Sequence, residues 1–104
     1  MKRYVFIGRG GQGAKSGASI LARAAASQGL MMQAFPEYGP ERMGAPVKAF
    51  VKISNKPIRS FSQFKDPDFA LLIDNTLMNV ALSIIGENTT IIINHNVTMS
   101  LMKL

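Results

Sequence analysis

A glycine-rich loop near the start of the chain has the residue types and spacing of an anion-binding turn. Its glycines fit the pattern G-x-G-x-x-G between an apolar run and an Ala-rich segment. The loop consists of Gly8, Arg9, Gly10, Gly11, Gln12 and Gly13. Glycines let backbone N–H groups turn inward without a Cβ atom in the way, and a following helix N-terminus adds about half a unit of positive charge. Such a loop is suited to bind a phosphate or another anion.

The same glycine loop (residues 8–13) also suits a tight crossover from a strand to a helix. Close packing of helix on strand requires glycines there even when nothing binds, and G-x-G-x-x-G alone is a weak motif. Ligand binding and simple packing are therefore both open interpretations of the spacing.

A second shaped segment, the proline-rich loop (residues 35–46), contains three prolines and two glycines in twelve residues. Proline fixes φ and glycine permits positive φ, so this loop has a defined shape, and long shaped loops are often functional. It carries Arg42, while Lys15 lies in the first turn behind the glycine loop.

Both loops follow the carboxyl ends of predicted neighbouring strands, so we expect them to flank one crevice. Arg9, Lys15 and Arg42 would make that crevice a seat for phosphates or for an acidic segment of a partner. The alternative is that Arg9 and Arg42 pair with Glu37 or Glu41 and only pin the two loops together.

Three other polar residues are candidates for a site. Asp74 follows a predicted central strand, where open α/β sheets bind ligands, although Asp before Asn-Thr is more typical of a helix cap. Glu37 lies near the position of a ribose-binding acid, but the surrounding prolines argue against that role. His95 has no Ser or carboxylate partner nearby in the sequence and is predicted to be a loop residue. No catalytic residue is predicted in this chain.

The order of apolar runs predicts an α/β fold. Strands are expected over residues 4–7, 30–35, 47–54, 69–73 and 89–93, with helices over 14–28 and 77–85. Residues 4–35 form a β-α-β unit, and residues 47–54 with 58–61 form an inserted hairpin. The prediction is a Rossmann-like, mostly parallel sheet with a β-hairpin insertion, in one domain over residues 1–104.

Composition excludes several classes of function. No apolar run approaches the roughly 20 residues of a membrane span, and the first strand is too short for a signal peptide, so we expect a cytoplasmic protein without a membrane partner. The chain has no cysteine, which excludes a disulfide or an iron–sulfur cluster held by its own thiolates. With His95 as its single histidine, it is not expected to hold a metal.

Charge is distributed unevenly along the chain. The net charge is +6, with +9 over residues 1–65 and −3 over residues 66–104. A basic half that includes the glycine loop favours a nucleotide, a phosphorylated cofactor or an acidic protein surface, although a solvated basic surface is the alternative. Nucleic acid is not predicted as a partner, because the basic residues are scattered and do not alternate with aromatics.

The two loops together resemble a known family. Gly8-Arg9-Gly10-Gly11-Gln12-Gly13, followed by the segment Gln33–Phe50 (QAFPEYGPERMGAPVKAF), is similar to the gamma subunit of 2-oxoacid:ferredoxin oxidoreductases, the pyruvate and 2-ketoisovalerate members above all. The pieces KPIR, SQ and DNTL over residues 56–77 agree, so the resemblance covers residues 4 to about 95. Met43 departs from the family, which commonly has a second arginine there, and Asn75 stands where proline is expected.

The resemblance implies a subunit of an enzyme that decarboxylates a 2-oxoacid on thiamine diphosphate, releases an acyl-CoA and passes electrons to ferredoxin. It implies alpha, beta and delta partner subunits that carry the thiamine and the iron–sulfur clusters. This domain is associated with coenzyme A in the family, which makes the glycine loop (Gly8 to Gly13) and Arg42 the expected contacts. The alternative, based on G-x-G-x-x-G alone, is a free-standing nucleotide-binding module.

Family gamma chains are longer than 104 residues, so the resemblance also implies the N-terminal part of a larger domain. The sheet edge and helix faces of an incomplete domain stay exposed, and exposed apolar edges promote association. We therefore expect the isolated chain to self-associate.

Overall fold

The chain contains both strands and helices, as predicted. The computed structural model describes residues 1–37, 44–60, 62–94 and 99–103. Its elements are β1 (Lys2–Arg9), α1 (Ala14–Ser27), β2 (Met31–Pro36), β3 (Pro46–Ser54), β4 (Phe69–Leu72), α2 (Met78–Leu82), β5 (Thr90–Asn94) and β6 (Met99–Lys103). The predicted helix over 77–85 is shorter in the structure: it begins after a 3-10 turn (Asn75–Leu77) and ends at Leu82.

The strands form one sheet with the order β2-β3-β1-β4-β5-β6. The central pairs β1–β4 and β4–β5 are parallel. Strand β3 is antiparallel to both β2 and β1, and β6 is antiparallel to β5. Within the described ranges, β1, β2, β4 and β5 therefore run in one direction, which confirms the predicted Rossmann-like α/β fold, while three of the five neighbouring pairs are antiparallel, so the sheet is mixed.

The hairpin consists of β2 and β3, and the prediction that residues 58–61 form its second arm is wrong. Residues 58–60 are not a strand, and residue 61 lies outside the described residues. The Nζ of Lys52 donates a hydrogen bond to the Ser60 carbonyl at 2.8 Å, and the Nε2 of Gln33 donates to the Ile58 carbonyl at 3.5 Å. Side chains on the sheet therefore hold this extended segment, which does not pair as a strand.

Helix α1 packs very close to one face of the sheet. Its buried residues Ala14, Ala18 and Ala22 lie against the side chains of β1 and β3. A Cβ atom at Gly17 would come within 3.1 Å of the Phe6 ring. Small residues thus set the short distance between helix and sheet, and they place the first turn of α1 at the edge where β1 ends.

The other face of the sheet carries the larger apolar cluster. Phe50 is 2% exposed at its centre. Its ring stacks on Phe35 with the centroids 5.4 Å apart and meets Phe64 edge-on at 5.1 Å. Such ring contacts add to the free energy gained by burying apolar area.

Replacing Phe50 with Ala is expected to lower the free energy of unfolding by about 3–5 kcal/mol, because the change removes a buried ring and leaves a cavity. Denaturant titration measures the loss. The control is Ile20→Ala on α1, where the side chain is 66% exposed. We expect that control to change stability by less than about 0.5 kcal/mol. Similar losses in the two variants would contradict this description of the core.

Candidate functional site

Parallel pairing of β1 with β4 brings two distant segments to one edge of the sheet. Ile7 pairs with Leu72 in the register, and the N–H of Ile73 donates to the Ile7 carbonyl at 2.8 Å. The glycine loop leaves β1 at this edge, and Asp74 follows β4 at the same edge. The predicted meeting of loops at the carboxyl ends of the strands is thus observed for these two strands.

The side chain of Arg9 contacts two other segments of the chain. Its Nε lies 3.3 Å from Asp74 Oδ2, and its Nη2 donates to Thr76 Oγ1 at 3.0 Å. Its Nη1 donates to the Gly44 carbonyl at 3.0 Å. Arg9 therefore joins the glycine loop to the end of the proline-rich loop and to the residues after β4.

Glu37 was the predicted partner of Arg9 that lies within the described residues. That prediction is wrong. Glu37 instead pairs with Lys48, with Oε2 and Nζ 3.0 Å apart. That ion pair lies across the β2–β3 hairpin and also gives Glu37 a role other than ribose binding. The other predicted pairing residues, Glu41 and Arg42, and His95 as well, lie outside the described residues.

Gln12 fastens the glycine loop from within. Its Oε1 accepts a hydrogen bond from the Arg9 backbone N–H at 2.7 Å, and its Nε2 donates to Asp74 Oδ2 at 2.9 Å. Gly8 leaves room for this side chain, since a Cβ there would lie 3.3 Å from Gln12 Oε1 and 3.4 Å from the Cβ of Ile73. In the structure, Gly8 thus serves close packing.

The two loops do meet, but not because their strands are neighbours. Strand β3 lies between β1 and β2, so the prediction of adjacent strands is wrong. The contact arises because the proline-rich loop leads into β3, which pairs with β1. The Gly10 N–H donates to the Ala45 carbonyl at 2.8 Å, and the Gly44 N–H donates to the Gly10 carbonyl at 3.4 Å. The N–H of Gly10 is therefore used between the loops.

An open cavity of about 270 Å³ lies between the glycine loop and the start of α1. Gly11 and Gly13 take φ values of +89° and +90°, in the left-handed region that favours glycine. Gly13 is the N-cap of α1 and supplies no side-chain cap, and the first turn of the helix has no acidic residue. Lys15 and Ser16 also line the cavity.

The first N–H groups of a helix have no intrahelical acceptor. At the start of α1 they lie at this cavity without a capping side chain, and the helix dipole adds partial positive charge. The geometry suits a phosphate or a carboxylate.

Asp74, which the sequence favours as a helix cap over a site residue, serves in both ways. The predicted cap is confirmed, because Oδ1 accepts hydrogen bonds from the Thr76 N–H at 3.0 Å and from Thr76 Oγ1 at 2.6 Å. Its second oxygen, however, binds Gln12 and Arg9. The signal for this second role was the position of Asp74 after a predicted central strand, where open α/β sheets bind ligands. These hydrogen bonds from Thr76 and Gln12, with a smaller contribution from the Arg9 charge, lower the pKa of Asp74 to about 2.

Two general properties of the described residues bear on the site. No three or more His, Cys, Asp or Glu side chains among them form a group that could hold a metal. None of the helices in the described ranges is both long and apolar enough to cross a bilayer.

Comparison with known proteins identifies the family. A family model described as pyruvate ferredoxin/flavodoxin oxidoreductase matches residues 3–102. The chain belongs to this family. The predicted resemblance is thereby confirmed, and the alternative of a free-standing nucleotide-binding module is not favoured.

The proteins similar to this chain include one named as a gamma subunit and one named as subunit PORC. The pyruvate/ketoisovalerate oxidoreductases common subunit gamma of Pyrococcus furiosus is 53% identical over 74 residues, which cover 71% of this chain and 40% of the relative. The solved pyruvate oxidoreductase subunit PORC of Thermotoga maritima is 37% identical with a TM-score of 0.75, over 93% of this chain and 51% of that chain. The chain thus spans about half the length of these relatives.

A third comparison shows the shared fold alone. A 2-oxoglutarate:ferredoxin oxidoreductase from Magnetococcus marinus, solved with 2-oxoglutarate, coenzyme A and succinyl-CoA bound, matches with a TM-score of 0.78 at 20% identity. The match covers 92% of this chain and 16% of that chain.

The depressed pKa of Asp74 predicts a specific acid dependence of stability. Its ordinary value is 3.8 and its value in the fold is about 2, so folding favours the ionised form. The stabilisation is complete above roughly pH 5 and is lost as the pH falls towards 2. We expect the difference in unfolding free energy between the native protein and Asp74→Asn to be constant at higher pH and to shrink over this window. Denaturant titrations at a series of pH values measure it, and a difference independent of pH would contradict the assignment.

Proposed function

We propose that this chain is the N-terminal part of the gamma subunit of a pyruvate or 2-ketoisovalerate:ferredoxin oxidoreductase. The whole enzyme decarboxylates a 2-oxoacid, forms an acyl-CoA and transfers electrons to ferredoxin. The family match over residues 3–102 carries this proposal, and the names of the relatives support it. The chain contributes structure and ligand contacts, without a catalytic residue of its own.

The proposal includes partners and a compartment. Alpha, beta and delta subunits assemble with this chain in the cytoplasm and carry the thiamine diphosphate and the iron–sulfur clusters, while ferredoxin meets the complex through them. The exposed edge strand β2, with Met31 and Met32 at its start 48% and 39% exposed, supports association of the isolated chain with itself.

The glycine loop is the proposed contact for the phosphates of coenzyme A. The uncapped start of α1, the positive φ of Gly11 and Gly13, and the excess of basic residues over residues 1–65 fit an anion of this kind. Coenzyme A, when bound, supplies the thiol that accepts the acyl group. Arg42, which lies outside the described residues, is the proposed further cation, while Arg9 and Gln12 shape the loop. An acidic segment of a partner subunit would satisfy the same charges.

Assembly of the complex tests the main proposal. Co-expression of the full-length gamma chain with its alpha, beta and delta subunits is expected to give one complex that oxidises the 2-oxoacid in the presence of coenzyme A. Omission of the gamma chain is expected to remove assembly or activity. A complex that is equally active without this chain would refute the proposed function.

Two glycines at opposite ends of α1 give a matched test of the coenzyme A contact. Gly13 and Gly29 have φ values of +90° and +80°, and an added Cβ would have nothing within 4 Å at either position. Each change to Ala therefore costs only backbone strain, about 1–2 kcal/mol. We expect similar losses of stability in both variants but a raised KM for coenzyme A in Gly13→Ala alone.

Steady-state kinetics of the assembled enzyme measures this difference. An unchanged KM in Gly13→Ala, with assembly weakened instead, would assign the loop to an acidic segment of a partner subunit.

A further inference from the structure

The Asp74 carboxylate closes a ring of contacts around the glycine loop. Its Oδ2 lies 3.3 Å from Arg9 Nε and accepts from Gln12 Nε2 at 2.9 Å. Gln12 in turn accepts from the Arg9 backbone N–H at 2.7 Å. One oxygen of one side chain thus fixes both the first and the last side chain of the turn between Gly8 and Gly13.

The guanidinium of Arg9 is already occupied by protein atoms. Three of its five N–H groups face Asp74, Thr76 Oγ1 and the Gly44 carbonyl. The guanidinium therefore faces protein atoms, and the side chain holds the loop in place. The glycine backbone and the start of α1 complete the cavity.

Charge makes the Asp74 contacts stronger than neutral hydrogen bonds of the same length. The carboxylate carries a full negative charge at neutral pH, since its pKa is about 2. Without that charge, Arg9 would lose its ion pair and would hold the glycine loop less firmly to the residues after β4.

We propose that Asp74 is a positioning residue for the glycine-loop site, acting through Arg9 and Gln12 to keep the loop in its anion-binding shape. This inference rests on the proposed function. It deepens that function by naming the residue that keeps the site ordered, which lies 62 positions beyond Gln12 in the sequence.

The substitution Asp74→Asn separates the charge from the cap. Asn caps helices about as well as Asp, so the hydrogen bond to the Thr76 N–H is retained while the ion pair with Arg9 is lost. Asp68→Asn is the matched control. Asp68 lies at the opposite end of β4 and accepts a hydrogen bond from the Arg3 N–H at 2.8 Å, remote from the loop.

The assembled oxidoreductase with full-length gamma chain provides the kinetic readout. We expect Asp74→Asn to raise the KM for coenzyme A about tenfold, with kcat within about twofold of the unmodified enzyme, because a charge-assisted contact that orders the site is lost. Asp68→Asn is expected to leave both constants within about twofold. Because Asp74 acts partly through Arg9, adding Asp74→Asn to Arg9→Gln is expected to raise KM by less than Asp74→Asn does alone, since only the Gln12 contact remains to be lost.

An unchanged KM in Asp74→Asn, an equal rise in Asp68→Asn, or additive effects in the double variant would overturn the proposal. Hydrogen exchange gives a second readout that does not depend on activity. The Arg9 and Gly10 amides, which are bonded to Gln12 and Ala45, are expected to exchange faster in Asp74→Asn but not in Asp68→Asn.

The two readouts separate failure of this inference from failure of the proposed function. If the complex proves equally active without the gamma chain, the proposed function fails, and exchange alone decides whether Asp74 orders the loop. If the complex requires the chain but neither exchange nor KM responds to Asp74→Asn, only the positioning role is overturned.

Discussion

The parallel pairing of β1 with β4 is the constraint on which the site depends. It places Arg9 and Asp74, which are 65 residues apart in the sequence, within an ion-pair distance of 3.3 Å. From that contact follow the fixed shape of the glycine loop, the attachment of Gly44 and the position of the cavity at the start of α1. If a strand other than β4 paired with β1 on this side, Asp74 would not reach the glycine loop to hold it in place.

The position of strand β3 in the sheet determines how the two loops meet. By lying antiparallel between β1 and β2, it brings the exit of the proline-rich loop directly onto Gly10, whose N–H binds the Ala45 carbonyl. A simple doubly wound sheet would place β2 beside β1 and open a crevice between their loops. Here the hairpin fills that place, and the cavity opens instead between the glycine loop and α1.

The parts of the structure that depend on local sequence could be predicted. The apolar runs gave β1, β4 and β5, and Gly29 marked the end of α1 at nearly the right residue. Pairings between distant residues could not be predicted in the same way. The register of β3 against β1 and the ion pair of Arg9 with Asp74 depend on which strands become neighbours, a property that no single stretch encodes. Residues 58–60 have the composition of a strand, yet side chains such as Lys52 bind their carbonyls.

The close packing of α1 on the sheet links the core to the cavity at the start of the helix. Gly17 directly follows Ser16, which lines the cavity, and a Cβ atom at Gly17 would lie 3.1 Å from the Phe6 ring. A side chain at this position would require the Phe6 ring or the helix to move by a few tenths of an ångström. The position of the turn of α1 that lines the cavity therefore depends on the volume of the side chains packed beneath the helix.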